Sequence, residues 1–279
     1  MTRRSRPSAG FTLVEMIMVI TITGIIAASV AIFIRAPVEG YVDTVRRAEL
    51  TDAADVALRR IVRDVRLALP NSLRVLNSGG ITYVEFIMTS SGGRYRDPTD
   101  GSTGGDFLSF TSTTDVDFDV LGPAPEAAAN DFLVVYNLGP GFSPADAYDC
   151  SGACNRAQIQ SIAGNTITLT ANPFASQSPP LPSPSARFQV VPGGVQAVTY
   201  ACPQAAAGDL TRYWGYGFNA AQAAPAGGSS ALLASGATCT VDYVSAETGR
   251  NGLLYISLTL SSGGESVSLF NQIHVDNSP

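Results

Sequence analysis

Gly10-Phe11-Thr12-Leu13-Val14-Glu15 opens a run that reaches Ile34 without meeting a second charged residue. From Phe11 to Ile34 the run is 24 residues long, and crossing a bilayer core takes about 20 apolar residues. One carboxylate inside such a run needs a reason. A charged side chain at membrane depth costs about 2.5 to 3.5 kcal/mol on insertion scales, so Glu15 points to a partner or a function that compensates it. Upstream, the leader from Met1 to Gly10 carries Arg3, Arg4 and Arg6, which hold it on the cytoplasmic side and send the C-terminus outward. A secretory signal fits poorly, because its apolar stretch is about 7 to 15 residues with the small-residue cleavage site after it. Here the small residue, Gly10, stands before the run, and the run continues into a charged helix. The simpler alternative is a plain single-span anchor with a tolerated Glu near one end.

Beyond Ile34 the helical period persists. Val38, Val42, Val45, Ala54, Leu58, Ile61, Val65 and Ala68 recur mostly at spacings of three or four, with a break around Ala48 to Leu50. Arg46, Arg47, Asp52, Asp55, Arg59, Arg60, Arg63 and Asp64 fill much of the remainder, so an amphipathic helix is expected as far as Leu69, where Pro70 stops it. Asp55 and Arg59 stand four apart with the acid first, an arrangement worth a few tenths of a kcal/mol. A helix from Phe11 to Leu69 measures about 90 Å if unbroken. Pro37 and Gly40 make a bend or loosened turn expected over Arg35 to Gly40, since proline removes a helix hydrogen bond and clashes with the preceding turn.

From Asn71 the pattern changes to short β-rich runs: Ile81 to Met88, Phe107 to Thr113, Asp131 to Tyr136, Thr166 to Thr170, Phe188 to Val191, Val195 to Tyr200, Thr238 to Val244, Leu253 to Leu260 and Ser266 to Ile273. Clusters of Gly, Ser, Asn and Pro separate them, the punctuation of an all-β domain. The fold class expected is α+β: a long N-terminal helix, membrane-spanning and then amphipathic, packed on an antiparallel, sandwich-like β domain. Residues 1–10 form the leader, 11–69 the helix with 11–34 in the membrane, and 70–279 one globular domain. Ala175 to Ser185, Gln204 to Gly208 and Ala220 to Gly228 read as exposed loops.

Charge divides the chain as well. Residues 1–74 hold 11 Arg against 7 acidic residues, a balance of +4, and residues 75–279 hold 6 Arg against 16, a balance of −10. An acidic outer domain argues against nucleic-acid binding, which draws most of its non-specific affinity from phosphate neutralisation. All 17 basic residues are Arg and none is Lys, which reads as compositional bias.

The stretch Gly10, Phe11 and Glu15 resembles the cleavage region of the type IV pilin family, including the pseudopilins of type II secretion. The resemblance implies that a prepilin peptidase cuts between Gly10 and Phe11 and methylates the new amino group of Phe11. Glu15 then neutralises such an amine on a neighbouring subunit, fixing register because either charge alone is left uncompensated. The segment from Arg47 to Pro70, with its Arg63-Asp64-Val65-Arg66 step, is similar to the same region of minor pseudopilin J. It resembles more closely the MshO-type minor pilins of mannose-sensitive haemagglutinin (MSHA) pili, as do Ile273 to Pro279. These resemblances cover residues 10–76 and the last few dozen. They imply a Gram-negative inner-membrane subunit, single-pass with its C-terminal domain in the periplasm, later part of a pilus or pseudopilus. The partners implied are other major and minor pilins or pseudopilins, the prepilin peptidase, the inner-membrane assembly platform and, before assembly, the membrane.

Four cysteines, Cys150, Cys154, Cys202 and Cys239, all follow the apolar run. An even count in an oxidising compartment favours disulfides. Cys150 with Cys154 closes a small loop and Cys202 with Cys239 joins two expected strands, while a zinc site, which would want a second close Cys pair, is the alternative. Asp115, Asp117 and Asp119 alternate with Val116, Phe118 and Val120, so in a strand the carboxylates share one face. That is most simply a solvated face. The spacing also suits a calcium loop with Glu126 at its end, helped by Asp97, Asp100 and Asp106, although Val120 stands where the turn glycine belongs. No other cofactor is expected.

Tyr213-Trp214-Gly215-Tyr216-Gly217-Phe218 holds the one tryptophan. It reads as core packing beneath a loop, or as a sugar-stacking or partner-binding loop. The one histidine, His274, lies in an expected terminal strand, and the nucleophile-elbow, P-loop and HExxH signatures are missing. The chain therefore reads as a minor pilin subunit and not as an enzyme. A type II secretion pseudopilin, a membrane-anchored adhesin and a carboxylate-dependent hydrolase follow as alternatives.

Overall fold

The computed structural model describes residues 10–101, 104–245 and 251–279. The leader arginines fall outside the described residues. The long helix, α1 (Leu13–Val65), contains Pro37, and the chain divides into two compact units at Glu49 and Leu50.

The first unit is helical from Leu13 onward and is almost wholly exposed. The expected loosened turn over Arg35 to Gly40 is not found, because helical backbone runs unbroken through Pro37 and Gly40. A helix keeps its dihedrals through a proline, whose own φ is helical, although the ring lacks the N–H that would bond the preceding turn.

The second unit begins with the last sixteen residues of α1 (Leu50–Val65) and contains thirteen strands among the described residues. In chain order these are β1 (Arg74–Ser78), β2 (Ile81–Ile87), β3 (Ser91–Arg94), β4 (Asp117–Asp119), β5 (Phe132–Val135), β6 (Arg156–Ala163), β7 (Thr166–Leu169), β8 (Arg187–Val191), β9 (Ala197–Pro203), β10 (Gly208–Trp214), β11 (Ser229–Val244), β12 (Gly252–Ser262) and β13 (Glu265–Val275). They form a seven-stranded sheet ordered β1-β2-β9-β10-β11-β12-β13 and a six-stranded sheet ordered β3-β8-β5-β6-β7-β4. Every strand pairing is antiparallel. The architecture is α+β, with the whole smaller sheet inserted between two neighbours, β2 and β9, of the larger one.

Local chemistry sets the hairpins. Gly79-Gly80 and Gly263-Gly264 close two-residue turns with positive φ at both positions, which fixes the register of β1 on β2 and of β12 on β13. Period-two alternation then sorts the side chains. In β2, Val84 and Phe86 enter the core beneath α1 while Ile87 turns the other way; in β9, Val198 and Tyr200 go with the former and Ala197 with the latter. In β5, Leu133 and Val135 fill the smaller sheet's own core, and Val134 joins Ile87 and Ala197 in a third cluster between the sheets.

On α1 the buried face runs Leu50, Ala54, Ala57, Leu58, Ile61 and Val65, all against the larger sheet. Val38, Val42 and Val45 share the period but stay exposed. Helix α1 ends at Val65, short of Leu69, because the chain is already leaving to join the sheet: Ala68 bridges Met88 and the Leu69 amide donates to the Ile87 carbonyl at 2.8 Å. Phe107 to Thr113 is not a strand. It is irregular chain that inserts Leu108 and Phe110 into the smaller core, where Phe110 packs on Tyr95 and Phe174. Strands β1, β3, β6 and β10 were not expected from the sequence; β10 carries a register shift near Leu210 that blurs its alternation.

Candidate assembly site

At the head of α1 the backbone amide and hydroxyl of Thr12 both donate to Glu15 Oε2, at 3.1 Å each, and the Glu15 amide donates back to Thr12 Oγ1 at 3.3 Å. This is a capping box, in which Thr12 and Glu15 satisfy amides that the first helical turn leaves without partners. A carboxylate in that turn is also favoured by the helix dipole. Both donors use Oε2; among the described residues Oε1 has no partner. The Thr-x-x-Glu spacing carried this signal in the sequence, directly after Gly10 and Phe11.

Around this head the apolar surface is uncovered. Phe11 is 85% exposed, Ile25 68% and Phe33 84%, so none of this surface is buried by the chain itself. At about 25 cal/mol per Å² of apolar area, such a surface is stable only against lipid or another apolar helix. Helix α1 is long and apolar enough to cross a membrane, and its apolar window is wholly unburied.

The carboxylate on the last turn of α1 behaves differently. Asp64 is 1% exposed, although the sequence places it among the polar fillers. Its Oδ2 accepts from Tyr200 Oη and from Arg212 Nε, both at 2.8 Å, and Oδ1 lies 3.3 Å from Arg60 Nε. Tyr200 and Arg212 are direct register partners on β9 and β10, so one carboxylate ties the helix to two strands. Burial first, and then the Asp64 charge, raise the Tyr200 hydroxyl well above the ordinary tyrosine range. The signal lay in the helical period, since Asp64 stands three after Ile61 on the face that holds Ala57 and Val65.

The other face of the same sheet carries a second buried carboxylate. Glu85 accepts from Arg74 Nε at 3.0 Å and from Tyr216 Oη at 3.1 Å, and Tyr216 Oη also meets Thr199 Oγ1 at 2.6 Å. The aromatic run therefore packs inward. Phe218 meets Phe132 edge-on with Arg156 over its ring, Tyr216 is pinned to Glu85, and Arg212 stacks over Trp214 at 4.8 Å. Those rings are committed to the protein's own packing, as the core reading of this run expects.

The aspartates do not gather into a metal centre. Among the described residues no group of three His, Cys, Asp or Glu side chains is placed to hold an ion. Asp119 accepts from Thr166 Oγ1 at 2.7 Å and from the Asp106 amide at 3.0 Å, bonds that hold its carboxyl below the usual range. Asp106 is raised, by desolvation first and then by the Asp115 charge, with Asp119 and Asp117 adding to it. Asp115, Asp117 and Asp119 thus repel a shared neighbour, and only Asp117 and Asp119 lie in β4, with Asp115 in the irregular chain before it. Of the expected helpers, Asp97 bonds the Thr99 amide and Asp100 faces Arg96 at 3.5 Å.

All four cysteines are in disulfides, Cys150 with Cys154 and Cys202 with Cys239. The second joins β9 to β11 across the start of β10, within the core beneath α1. No thiol remains for zinc.

The family model of the prokaryotic N-terminal methylation motif matches residues 5–31, which contain Gly10, Phe11, Glu15 and most of the apolar run. No curated protein and no solved structure matches the chain. The motif supports a type IV pilin-like protein, anchored by its apolar helix, with prepilin peptidase and other pilins as its general partners.

Proposed function

We propose that the chain is a minor pilin of an MSHA-like type IV pilus, acting without enzymatic chemistry to prime or cap filament assembly. The observation that carries this reading is the uncovered apolar run from Phe11 to Ile34, preceded by Gly10 and carrying Glu15 in its first helical turn. Peptidase cleavage after Gly10 turns the Phe11 nitrogen into a cation. Both capping donors use Glu15 Oε2, which keeps the helix start in order, and Oε1 is left to receive such a cation from the neighbouring subunit. Apolar contact between helices drives assembly, and the ion pair sets register, because a subunit out of step leaves a charge unpaired in a dry environment. Before extraction the helix sits in the inner membrane of a Gram-negative cell, with the disulfide-bonded domain in the periplasm.

The test is intact mass and N-terminal analysis of membrane-extracted protein from cells with and without prepilin peptidase. The expected product begins at N-methylated Phe11 only when the peptidase is present. An uncut Met1, or a cut after the apolar run, overturns the proposal. A secretion pseudopilin predicts the same N-terminus but co-purifies with a secretion apparatus instead of a pilus.

A further inference from the structure

The last strand of the larger sheet is open. Strand β13 lies at the end of the strand order, paired on one side with β12 through all eleven of its residues. Among the described residues, no other backbone hydrogen bond engages Val267 to Val275. Proteins usually blunt such an edge with lysine, proline, a bulge or a very short strand. β13 has none of these: its register on β12 is unbroken, its sequence is Glu-Ser-Val-Ser-Leu-Phe-Asn-Gln-Ile-His-Val, and at its centre Phe270 is 70% exposed.

Beside this edge, between it and α1, runs a groove of about 380 Å³ lined by Arg59, Val62, Arg63, Arg66, Leu67 and Asn271. The edge and the groove are independent features that meet at Asn271. Val62 and Leu67 give the groove apolar surface, and Leu67 is 40% exposed. Its charge is unbalanced. Arg59 is paired with Asp55, and Arg63 shares Asp64 with Arg60 and Arg212, whereas Arg66 has no ion pair among the described residues.

We infer that this edge and groove together receive an extended acidic segment of a partner protein, added to the sheet as a further strand beside β13. The free edge supplies main-chain hydrogen bonds, the usual source of affinity in strand addition, and alternate side chains of the guest supply specificity. On the guest's inward face, every second residue meets the groove: a carboxylate suits Arg63 and Arg66, and an aliphatic side chain suits Val62 and Leu67. The inference does not rest on pilin processing, since every residue it uses belongs to the Leu50–Pro279 unit.

The experiment uses the full chain in detergent and a fluorescein-labelled, end-blocked nonapeptide, Thr-Val-Thr-Glu-Thr-Val-Thr-Glu-Thr, whose one face carries both Val and Glu, read by anisotropy. Saturable binding is expected, with affinity reduced about tenfold by Arg66→Glu, as befits loss and reversal of one charge contact. The same peptide N-methylated at every backbone nitrogen keeps its charge and loses its donors, and is expected not to bind. The same peptide with Lys in place of each Glu is expected to fail as well. Arg66→Gln gives an intermediate loss and serves if the reversed variant shows an altered denaturation midpoint. Equal binding of the N-methylated peptide overturns strand addition, and indifference to Arg66 overturns the groove's part. Self-association through β13 with no uptake of peptide overturns the choice of partner.

Discussion

Glu15 and Asp64 are carboxylates on one helix, and they stand in opposite circumstances. Around Glu15 the apolar neighbours are exposed and its hydrogen bonds reach only Thr12, three residues away. Asp64 is 1% exposed and bonded to Tyr200 and Arg212, 136 and 148 residues away. The first half of the helix is incomplete as a single chain, because its apolar surface from Phe11 to Ile34 is left exposed among the described residues. The second half is complete, because a sheet has been built against it. One helix thus presents an interface still to be made at one end and an interface already made at the other.

The sharpest way to break this contrast is Glu15→Ala. Assembled filament, measured by shearing and immunoblot, is expected to fall to background, while the denaturation midpoint of the Leu50–Pro279 unit does not move. If the midpoint falls too, Glu15 is not purely an assembly residue. Asp64→Ala is expected to do the reverse. It strands Arg212 in a buried setting and costs about 3 to 5 kcal/mol of folding stability, read by denaturant titration of the purified chain. A change under 1 kcal/mol would show that the network is relaxed by water and does not clamp the helix.

The two disulfides extend the same comparison to the β domain. Cys202 and Cys239 are 37 residues apart and Cys150 and Cys154 only 4. Loop entropy therefore predicts a loss of about 4 kcal/mol for Cys202→Ser with Cys239→Ser, against about 2 for the shorter pair. Equal losses in the two double variants would remove loop entropy as the reason.

Alkaline pH gives the smallest effect. Burial above all pushes the Tyr95 hydroxyl up to about 12, with the Ser183 amide lowering it and Asp97 raising it. The unfolded chain loses that proton near 10 and the folded chain near 12, so the folded state holds more protons in between. Its contribution is complete below about pH 10 and is lost as pH rises toward 12. Tyr148, Tyr200 and Tyr216 are raised in the same sense. Tyr95→Phe is expected to flatten, without abolishing, the fall of the unfolding midpoint between pH 10 and 12; an unchanged slope would remove Tyr95 from the account.

Much of this was legible without coordinates, and for local reasons. The apolar run is read from composition alone. The capping pair at Thr12 and Glu15 and the Gly-Gly hairpins were not singled out from the sequence, yet they act over two to four residues and so leave a signal of the same local kind. A strand with clean alternation, such as β12, was legible for the same reason. Phe107 to Thr113 looked equally strand-like but gives its aromatic to a core shared with Tyr95 and Phe174, a decision made by packing. The alternation of Asp115, Asp117 and Asp119 suggested an ion, but only the last two lie in β4, and Asp119 is engaged by Thr166 and the Asp106 amide.

The amino-acid sequence sufficed for the membrane-length helix, the antiparallel character of the remainder and the cysteine pairs, because each depends on periodicity or proximity along the chain. Only the tertiary structure decided that Asp64 is buried, that a whole sheet is inserted between β2 and β9, that Glu85 pins the aromatic loop and that β13 is left open. Those depend on which distant strands become neighbours. Side-chain alternation says which face of a strand is apolar, and long-range pairing alone says what that face meets.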